Sequence, residues 1–450
     1  MSVNLYPHQS EALELTANHN KVAYYLDMGL GKTYVGSEKL IQLGAKVNLV
    51  VCQKSKIDDW IEHFKSNYAN VSVHDLTEKC GVPIFIDMTK VIAGRFIGVI
   101  NYELIWRRPE LLKLTDFTLM LDESSLIQND TAKRTKFISK LQFTNLILLS
   151  GTPTGGKYEN LYSQLKLLGY NISKRLFYDS YIKYHYDKRQ GFPLMIIDGY
   201  KNVERLKRKM REYGCHFLKT EEVLDLPEQT FIKVKVENSK EYRKFKKDRV
   251  VKLNDDWLYT GVCTFYDGQD FTYGQYHERT ELIGDNTLTK ILYERQLCGA
   301  YSEAKLGAFR DLLESTSDRL IVFYNFNLEL DILKGICEEL SRPVSIINGE
   351  TKDLTAYESY DNSVTLIQYQ AGAMGLNLQK ANKIIYYTPP LSSELYEQSK
   401  KRIHRIGQSG TCYYYNLVVK DSIEEKIYRA LDMRRDYTNA LFESEVINER

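Results

Sequence analysis

The sequence lacks the features of several protein classes. No stretch approaches the roughly 18 uninterrupted apolar residues that a membrane-spanning helix needs, so we expect no membrane partner. The N-terminus, MSVNLYPHQSEALEL, has no basic start followed by an apolar run, and we expect no secretory leader. The seven cysteines are scattered, without a CxxC pair or a histidine at ligand spacing, which argues against zinc and a disulfide framework. These absences predict a cytoplasmic protein.

Proline, glycine and an excess of either charge are also scarce. Only 9 prolines and 26 glycines occur among 450 residues, so neither a collagen-like nor a long disordered segment is predicted. The formal net charge is +2, so any nucleic-acid binding has to come from a local groove rather than from a basic surface as a whole. At roughly 150 residues per domain, the length predicts two or three domains.

What the chain does have is short apolar runs in two series. The first series lies at 47–52, 96–100, 117–121 and 146–150, and the second lies at 319–324, 344–347, 364–367 and 383–387. Continuous apolarity without alternation is typical of strands buried on both faces of a parallel sheet. The predicted fold class is therefore α/β, with two lobes that are each a mainly parallel sheet flanked by helices.

The stretch between the two series has a different composition. Lysine, arginine and tyrosine become frequent from about 172 to 300, which predicts helical insertions and a crossover between the lobes. We therefore place the first lobe at 1–227, with a helical extension from about 172. A linker with insertions follows at 228–300, and the second lobe lies at 301–450.

The segment MGLGKT at 28–33 has the residues of a phosphate-binding loop. Gly29 and Gly31 let the backbone approach a phosphate, and Lys32 reaches the phosphate oxygens. Thr33 offers its hydroxyl to Mg²⁺ at the start of a helix. Leu26 stands where the strict pattern has a glycine, so a glycine-rich turn is an alternative interpretation at this point.

Two further polar turns follow buried-strand patterns. The run LMLDESS ends in Asp122, which would hold Mg²⁺ through water, and Glu123, which would position and deprotonate the attacking water. The run LLSGTPT brings Ser150 and Thr152 to a second turn, where they could sense the two acids. Each turn alone could be a solvated loop. Three such elements in this order predict a nucleotide-hydrolysing lobe.

Seven motifs together resemble those of a known family. In chain order they are LYPHQ, DMGLGKT, DESSLIQN, SGTP, VFYNF, QAGAMGLNL and QSKKRIHRIGQ. They look like the motifs of the Swi/Snf-type branch of helicase superfamily 2, the double-stranded DNA translocases that include chromatin remodellers. The resemblance spans almost the whole chain. It implies two RecA-like lobes that hydrolyse ATP with Mg²⁺ at the interface of the lobes and move along duplex DNA.

The resemblance also implies roles for matching residues. Gln9 would hydrogen-bond the adenine and Tyr6 would pack near it, although a helix N-terminal staple with a buried tyrosine is an alternative. The phosphate-loop residues and the two acids fall on the family's nucleotide, magnesium and catalytic positions. Gly372, Gly375 and Asn377 fall on a motif that contacts both the DNA backbone and the nucleotide. A glycine-rich strand-to-helix turn would also explain those glycines.

The closing motif is predicted to present two arginines. If 393–406 is a helix that begins at Ser392 or Ser393 and ends near Gly407, then Gln398, Arg402 and Arg405 lie at i, i+4 and i+7 on one face. A guanidinium pairs with phosphate oxygens at two points, which suits an arginine finger. A solvent-exposed basic helix is the alternative interpretation.

Contacts with DNA are predicted at two strand ends. Lys54 and Ser55 occupy one family position beside the DNA backbone, and Asn101 with Tyr102 occupies another; either pair could instead be a simple turn. Backbone contacts predict little base preference and strong salt dependence. The aromatic cluster at 257–276 could stack on bases, but packing of an insertion is the favoured interpretation.

The chain also departs from the family pattern. Ser125 stands where a histidine is common after the paired acids, and Leu126 and Gln128 stand where basic residues are frequent. The predicted function is an ATP-dependent translocase on duplex DNA. The alternatives are a strand-separating DNA or RNA helicase and a nucleic-acid-binding scaffold without turnover. The short linker and the richness in lysine, asparagine and tyrosine favour a bacterial or phage-infected cell.

Overall fold

The computed structural model describes residues 4–187, 193–253, 262–264, 270–272, 281–372 and 376–442. Within these residues the chain forms two units. The first unit contains the residues up to Asp225 and those from Met433 onward, and the second unit contains Leu226–Asp432. Each unit is built around one seven-stranded sheet.

The described strands of the first unit are β1 (Lys21–Leu26), β2 (Val47–Cys52), β3 (Val71–Asp75), β4 (Arg95–Asn101), β5 (Thr115–Asp122), β6 (Gln142–Leu149), β7 (Ile182–Asp187), β8 (Leu194–Tyr200) and β9 (Cys215–Leu218). Seven of them form a sheet in the order β3, β4, β2, β5, β6, β1, β9, and all its pairs are parallel. Strands β7 and β8 form a separate antiparallel hairpin. The runs predicted at 47–52, 96–100, 117–121 and 146–150 are the inner strands β2, β4, β5 and β6.

The helices of the first unit connect these parallel strands. They are α1 (Pro7–Leu15), α2 (Lys32–Leu43), α3 (Ile57–Asn67), α4 (Gly81–Val91), α5 (Tyr102–Ile105), α6 (Lys133–Ile138), α7 (Leu161–Leu168), α8 (Lys174–Tyr181) and α9 (Val203–Glu212). Parallel strands need crossover connections of this kind, because a hairpin turn cannot join two strands that run in the same direction.

Both faces of the first sheet are buried. Tyr25, Leu119 and Leu121 belong to one buried cluster, whereas Tyr24 and Met120 belong to another. Because successive side chains of a strand point to opposite faces, the two clusters are cores on the two sides of the sheet. Burying one such large apolar side chain contributes about 1.5–3 kcal/mol. The prediction of strands covered on both faces is confirmed.

The described strands of the second unit are β10 (Gln229–Val236), β11 (Val250–Lys252), β12 (Val262–Thr264), β13 (Asp270–Thr272), β14 (Glu281–Ile283), β15 (Leu320–Tyr324), β16 (Val344–Ile347), β17 (Lys352–Asp353), β18 (Val364–Gln368), β19 (Lys383–Tyr386) and β20 (Cys412–Val419). The sheet order is β10, β20, β19, β15, β18, β16, β17. The short edge strand β17 is antiparallel to β16, and the other pairs are parallel. The predicted α/β class, with two mainly parallel sheets, is confirmed.

The second unit has helices on its sheet and tyrosines in its core. The helices are α10 (Lys240–Asp248), α11 (Thr287–Gly299), α12 (Glu303–Glu314), α13 (Asn327–Glu339), α14 (Thr355–Ser359), α15 (Tyr369–Gly372), α16 (Ser393–Lys400) and α17 (Ile423–Phe442), of which the part from Met433 onward belongs to the first unit. The buried rings of Tyr386 and Tyr414 are nearly parallel, with centroids 6.4 Å apart. The Tyr386 hydroxyl lies 2.9 Å from Ser399 Oγ, so this buried polar group is satisfied.

The stretch between the predicted lobes contains more strands than expected. Strand β10 lies in the predicted linker at 228–300, yet it pairs with β20 along its whole length, from Gln229 opposite Cys412 to Val236 opposite Val419. Its lysines Lys233 and Lys235 are exposed and alternate with valines that pack inward. A strand with one exposed face alternates polar and apolar residues and therefore has no continuous apolar run. For that reason the sequence did not predict β10. The division at 227 and 301 into separate domains stays a prediction.

Two other sequence-based expectations concern the same units. The side chains of the aromatic cluster at 257–276 lie outside the described residues, so its role stays a prediction. Within the part of the chain that the structure describes, no helix is both long enough and apolar enough to cross a membrane.

Candidate active site

The phosphate loop, residues 27–33, lies between β1 and α2. Gly29 and Gly31 have φ angles of 93° and 75°, a left-handed conformation that favours glycine. A Cβ atom on Gly31 would lie 2.2 Å from Gln9 Nε2, so a side chain there would have to displace the Gln9 amide from its bond with Leu30 O. Helix α2 begins at the next residue, Lys32. The unpaired amides of a helix start attract anions, so the loop has the shape and polarity of a phosphate cradle.

Gln9 fixes this loop to the start of α1. Its side chain is 3% exposed, and Nε2 donates to Leu30 O at 3.0 Å while Oε1 accepts from Tyr6 N at 2.9 Å. The Tyr6 ring is 57% exposed and stacks on His8 with centroids 5.9 Å apart. The alternative interpretation with a buried tyrosine is therefore wrong. Contact of Gln9 and Tyr6 with an adenine stays a prediction.

Lys32 connects the phosphate loop to the SGTP turn. Its ammonium donates to Leu26 O at 3.0 Å and to Asp27 O at 3.4 Å, both at the end of β1. A Cβ atom on Gly151 would lie 3.2 Å from Lys32 Nζ. The two motifs are 119 positions apart along the chain, by 151 minus 32, and they are neighbours because β1 and β6 pair in parallel.

Asp122 is the last residue of β5, and a hydrogen bond fixes its carboxylate. Oδ2 accepts a hydrogen bond from Trp60 Nε1 at 2.8 Å. Burial raises the pKa of Asp122, while this hydrogen bond and the positive charge of Lys32 oppose that rise. Trp60 is 2% exposed, so the indole is a fixed donor. Oxygen ligands suit Mg²⁺, and the hydroxyl of Thr33 follows Lys32 at the start of α2. The magnesium role of both residues stays a prediction.

Glu123 has an unusual backbone conformation. Its φ and ψ are 53° and 61°, the left-handed region that only a few per cent of non-glycine residues adopt. The Tyr102 hydroxyl supports this turn by donating to Asp122 O at 2.9 Å. Strain of this kind persists only where the surroundings hold it, and it concentrates at functional sites. The catalytic role of Glu123 stays a prediction, and its backbone is consistent with one.

Ser150 and Thr152 form the start of the SGTP turn. Ser150 is fully buried, and its Oγ accepts from Thr152 N at 3.1 Å. The turn follows β6, while the acids follow the neighbouring β5. Because parallel strands run in one direction, their carboxyl ends lie at the same edge of the sheet. We call this edge the carboxyl edge of the first sheet; it carries residues 27–33, 122–125 and 150–154. The coupling role of the pair stays a prediction.

The predicted DNA-contact residues of the first unit differ in exposure. Lys54 and Ser55 are exposed in a short 3₁₀ turn after β2. Asn101 is 2% exposed and donates to Glu103 Oε2 at 2.8 Å, and Tyr102 is completely buried beneath the acids. Tyr102 therefore supports from inside the turn at residues 122–125, which we call the acid turn. DNA contact by either pair stays a prediction, and the exposed pair is the better placed for it.

Two residues that bond this edge were not predicted from the sequence. Trp60 bonds Asp122 from 62 positions away, and nothing near it in the chain indicates that contact. Gln164 bonds Ser124 from 40 positions away. A local signal existed for Gln164, because it is a polar residue within the apolar face that Leu161, Leu165 and Leu168 form on α7.

The closing motif of the second unit is only partly helical. Helix α16 begins after Ser392, whose Oγ accepts from Leu395 N at 3.3 Å, as predicted. The prediction of a helix to 406 is wrong, because α16 ends at Lys400. We call residues 401–408 the arginine segment. Arg402 and Arg405 lie in it and not on a helix face with Gln398.

Two bonds to the stretch before β19 hold the arginine segment after this helix end. Leu378 N donates to Arg402 O at 3.1 Å, and Gln408 Nε2 donates to Ala381 O at 2.9 Å. Arg402 is 3% exposed, and burial lowers the pKa of Arg405. The alternative of a solvent-exposed basic helix is therefore wrong for Arg402. The phosphate role of both arginines stays a prediction.

The remaining predicted residues of the second unit are described only in part. Gln398 is 6% exposed and donates to Glu394 Oε1 at 3.3 Å. Gly372 ends α15 and Asn377 is exposed, whereas Gly375 lies outside the described residues. Their nucleotide and DNA contacts stay predictions.

Two family models together match most of the chain. The model of the SNF2-related domain matches residues 13–302, which is more than half of the chain. The chain belongs to the SNF2-related family. The model of the helicase conserved C-terminal domain matches residues 304–407 of this SNF2-related chain. The resemblance inferred from the motifs is confirmed.

Individual relatives of this SNF2-related chain are distant. The SWI/SNF-related matrix-associated actin-dependent regulator of chromatin subfamily A member 1 of Mus musculus is 22% identical over 443 residues, covering 91% of this chain and 40% of that protein. The ISWI chromatin-remodeling complex ATPase ISW1 of Saccharomyces cerevisiae is 23% identical over 466 residues, covering 94% of this chain and 39% of that protein. The chain thus spans about 40% of the length of these relatives.

One solved structure aligns along most of the chain. The Sulfolobus solfataricus SWI2/SNF2 ATPase core in complex with dsDNA is 18% identical, covers 98% of this chain and 93% of its own, and has a TM-score of 0.42. That score is too low to add to the strand topology described above.

Proposed function

We propose that this chain hydrolyses ATP and uses the energy to move along duplex DNA. The observation that carries the proposal is the carboxyl edge of the first sheet. Ligands of open parallel sheets bind outside the carboxyl ends of the strands. Three features follow strands at that edge: the strained turn at Glu123, a phosphate loop with two left-handed glycines, and the Lys32 ammonium beside the SGTP turn. Membership of the SNF2-related family supports the same activity.

The residues at this edge fit ATP and Mg²⁺. The loop has a left-handed glycine, Gly31, directly before α2 and leaves amides at the start of that helix, which suits phosphate oxygens. Thr33 and Asp122 supply the hydroxyl and carboxylate oxygens that Mg²⁺ prefers. Bound there, the ion would neutralise charge on the phosphates. Lys32 adds a second positive charge, and Gln9 with Tyr6 holds the base.

The hydrolytic step depends on a proton acceptor and on positive charge. Glu123 orients the attacking water and accepts its proton, which is why its carboxylate has to be held in one place. Arg402 and Arg405 stabilise the negative charge that develops on the transferred phosphoryl group. Gln398, Gly372, Gly375 and Asn377 contact the nucleotide or the DNA backbone in the second unit.

Duplex DNA is the proposed track. The exposed Lys54 and Ser55 contact the DNA backbone in the first unit, and contacts of that kind give affinity without base preference. The relatives described above, a regulator of chromatin and an ATPase of a chromatin-remodeling complex, support a DNA track. We place the protein in the cytoplasm of a bacterial or phage-infected cell, as the sequence predicts.

The test compares ATP turnover with double-stranded DNA, single-stranded DNA and RNA at one salt concentration. We expect the duplex to stimulate turnover most, and we expect displacement of a third strand from a triplex without unwinding of a forked duplex. A Glu123→Gln preparation, purified in the same way, controls for contaminating ATPases. Stimulation by single strands together with fork unwinding would support a strand-separating helicase. Absence of turnover with every nucleic acid would reject the motor and leave a scaffold.

A further inference from the structure

Gln164 is a buried amide in an apolar setting. It lies on α7 and is fully buried, together with Leu161 and Leu165 on the same face. An amide in such a place is tolerated only when its donors and its acceptor are bonded. A leucine would satisfy the helix face without that condition, so the hydrogen bonds of Gln164 need an explanation of their own.

The amide joins three segments that meet at the carboxyl edge of the first sheet. Oε1 accepts from Tyr25 Oη at 3.0 Å and from Ser124 Oγ at 2.8 Å. Nε2 donates to Pro153 O at 2.9 Å. The amide orientation is fixed by this pattern, because a flipped amide would turn its oxygen toward the Pro153 carbonyl. The side chain therefore holds a donor and an acceptor toward different segments.

Each partner of Gln164 lies within two positions of the proposed site in the chain. Tyr25 lies on β1 just before the phosphate loop, Ser124 follows Glu123, and Pro153 follows Thr152. Ser124 is fully buried, so its position is set by this bond and the surrounding packing. The strained backbone of Glu123 is thus supported on one side by Tyr102 and on the other side through Ser124.

We propose that Gln164 is a positioning residue that holds the Glu123 turn at a fixed distance from the SGTP turn. It touches no substrate, and it acts through Ser124 and Pro153. The inference rests on the proposed ATPase, because it assigns the amide to the hydrolytic step of that activity. A misplacement of the general base by about 1 Å lowers the rate of chemistry far more than the affinity for substrate. Loss of the amide should therefore lower kcat and leave the binding of ATP unchanged.

The test measures kcat and KM for ATP with saturating duplex DNA, and binding of a fluorescent ATP analogue. Gln164→Met keeps the length of the side chain without its polar atoms, and we expect kcat to fall about 10- to 100-fold with KM within about threefold. Ser163→Ala is the matched control on the same helix. It removes a buried hydrogen bond of 2.6 Å to Ile127 O, at the far end of the 3₁₀ turn Ser124–Ile127, and leaves the bonds of Gln164 to Ser124 and Pro153 in place. We expect it to lower Tm and to change kcat far less than Gln164→Met does.

A second variant keeps the inference testable if Gln164→Met is poorly folded. Ser124→Ala removes only the bond to the acid turn, and we expect a fall of kcat of about 3- to 10-fold. The double variant should fall no further than Gln164→Met alone, because both changes break one connection. Equal kcat values in Gln164→Met and Ser163→Ala, or additive effects in the double variant, would overturn the inference alone. Absence of turnover in the unmodified chain would overturn the proposed function with it.

Discussion

The phosphate loop and the arginine segment are both short motifs, but the chain holds them by different contacts. The phosphate loop is held within the N-terminal part of the chain: Gln9 bonds Leu30 across 21 positions, and Lys32 bonds Leu26 across 6. The arginine segment has a bond of similar separation, from Gln408 to Ala381 across 27 positions, and one that is far longer. The longer contact is that of His404, whose Nε2 lies 3.0 Å from the carbonyl oxygen of Pro227, 177 positions away.

The difference explains which motif the sequence predicted well. Left-handed glycines and a helix start are local properties, and residue types in the loop determine them. The arginine segment has helical spacing of its polar residues, yet its Arg402 carbonyl accepts from Leu378 N, and the Gln408 side chain bonds Ala381 O. The Arg402 carbonyl is thus engaged outside the helix that the spacing predicts, although His404 N still donates to Lys400 O at 3.3 Å.

The largest expected effect concerns the acid turn, which lies with the phosphate loop at the carboxyl edge of the first sheet. Glu123→Gln removes the proton acceptor but keeps the side-chain volume, so we expect turnover to fall about 10⁴-fold while ATP still binds. Steady-state turnover and binding of a fluorescent ATP analogue measure the two effects. Asp130→Asn, which removes only an exposed ion pair with Lys174, is the control and should keep its activity. Normal turnover by Glu123→Gln would show that another residue is the base.

The next effect tests whether the arginine segment acts on the same reaction. Arg405 is only half-buried, so Arg405→Ala should fold, and we expect turnover to fall about a thousandfold with little change in ATP affinity. Single-turnover hydrolysis at saturating ATP measures the chemical step. Lys401→Ala removes a positive charge from the same segment and serves as the control. A loss confined to ATP affinity would place Arg405 outside the transition state.

A smaller effect tests the local origin of the phosphate loop. Gly31→Ala introduces a Cβ 2.2 Å from Gln9 Nε2 at a φ of 75°. We expect a loss of about 2–3 kcal/mol in the free energy of unfolding and at least about a tenfold rise in KM for ATP.

Gly44→Ala is its matched control. Gly44 has a nearly identical φ of 70°, but the nearest neighbour of its added Cβ, Gln42 O, is 3.9 Å away. We expect about 1 kcal/mol of left-handed strain and no change in KM. Urea unfolding and ATP kinetics on both variants separate strain from the clash. Equal effects of the two changes would show that Gln9 does not constrain the loop.

The smallest effect concerns DNA. Lys54 is exposed beyond β2, and Lys54→Ala should weaken duplex binding several-fold on every sequence and lower the salt slope of log K by about 1. Fluorescence anisotropy from low to moderate salt gives that slope. Lys79→Ala, another exposed lysine of the first unit, should leave the slope unchanged. A sequence-dependent loss would indicate base contact in place of backbone contact.

Sequence reasoning worked where a pattern repeats and failed where one long-range contact decides. The continuous apolar runs identified β2, β4, β5 and β6, because a strand buried on both faces needs apolar residues throughout. Strand β10 was not predicted, because its exposed lysines alternate with apolar residues and leave no continuous apolar run. Among site residues, the phosphate loop and the acids were found by motif. Trp60 and Gln164 were not, because their partners lie 62 and 40 positions away.

The sequence by itself determined the fold class, the family and the identity of the polar turns, since these depend on residue type and short spacing. The tertiary structure decided how those turns meet. Pairing of β1 with β6 brings Lys32 beside Gly151, and folding of α3 and α7 against the sheet brings Trp60 and Gln164 to the acids. The same kind of long-range bond holds the arginine segment after α16 ends at Lys400. Backbone and buried polar groups must be satisfied by whichever partners the fold brings near, and local spacing does not specify those partners.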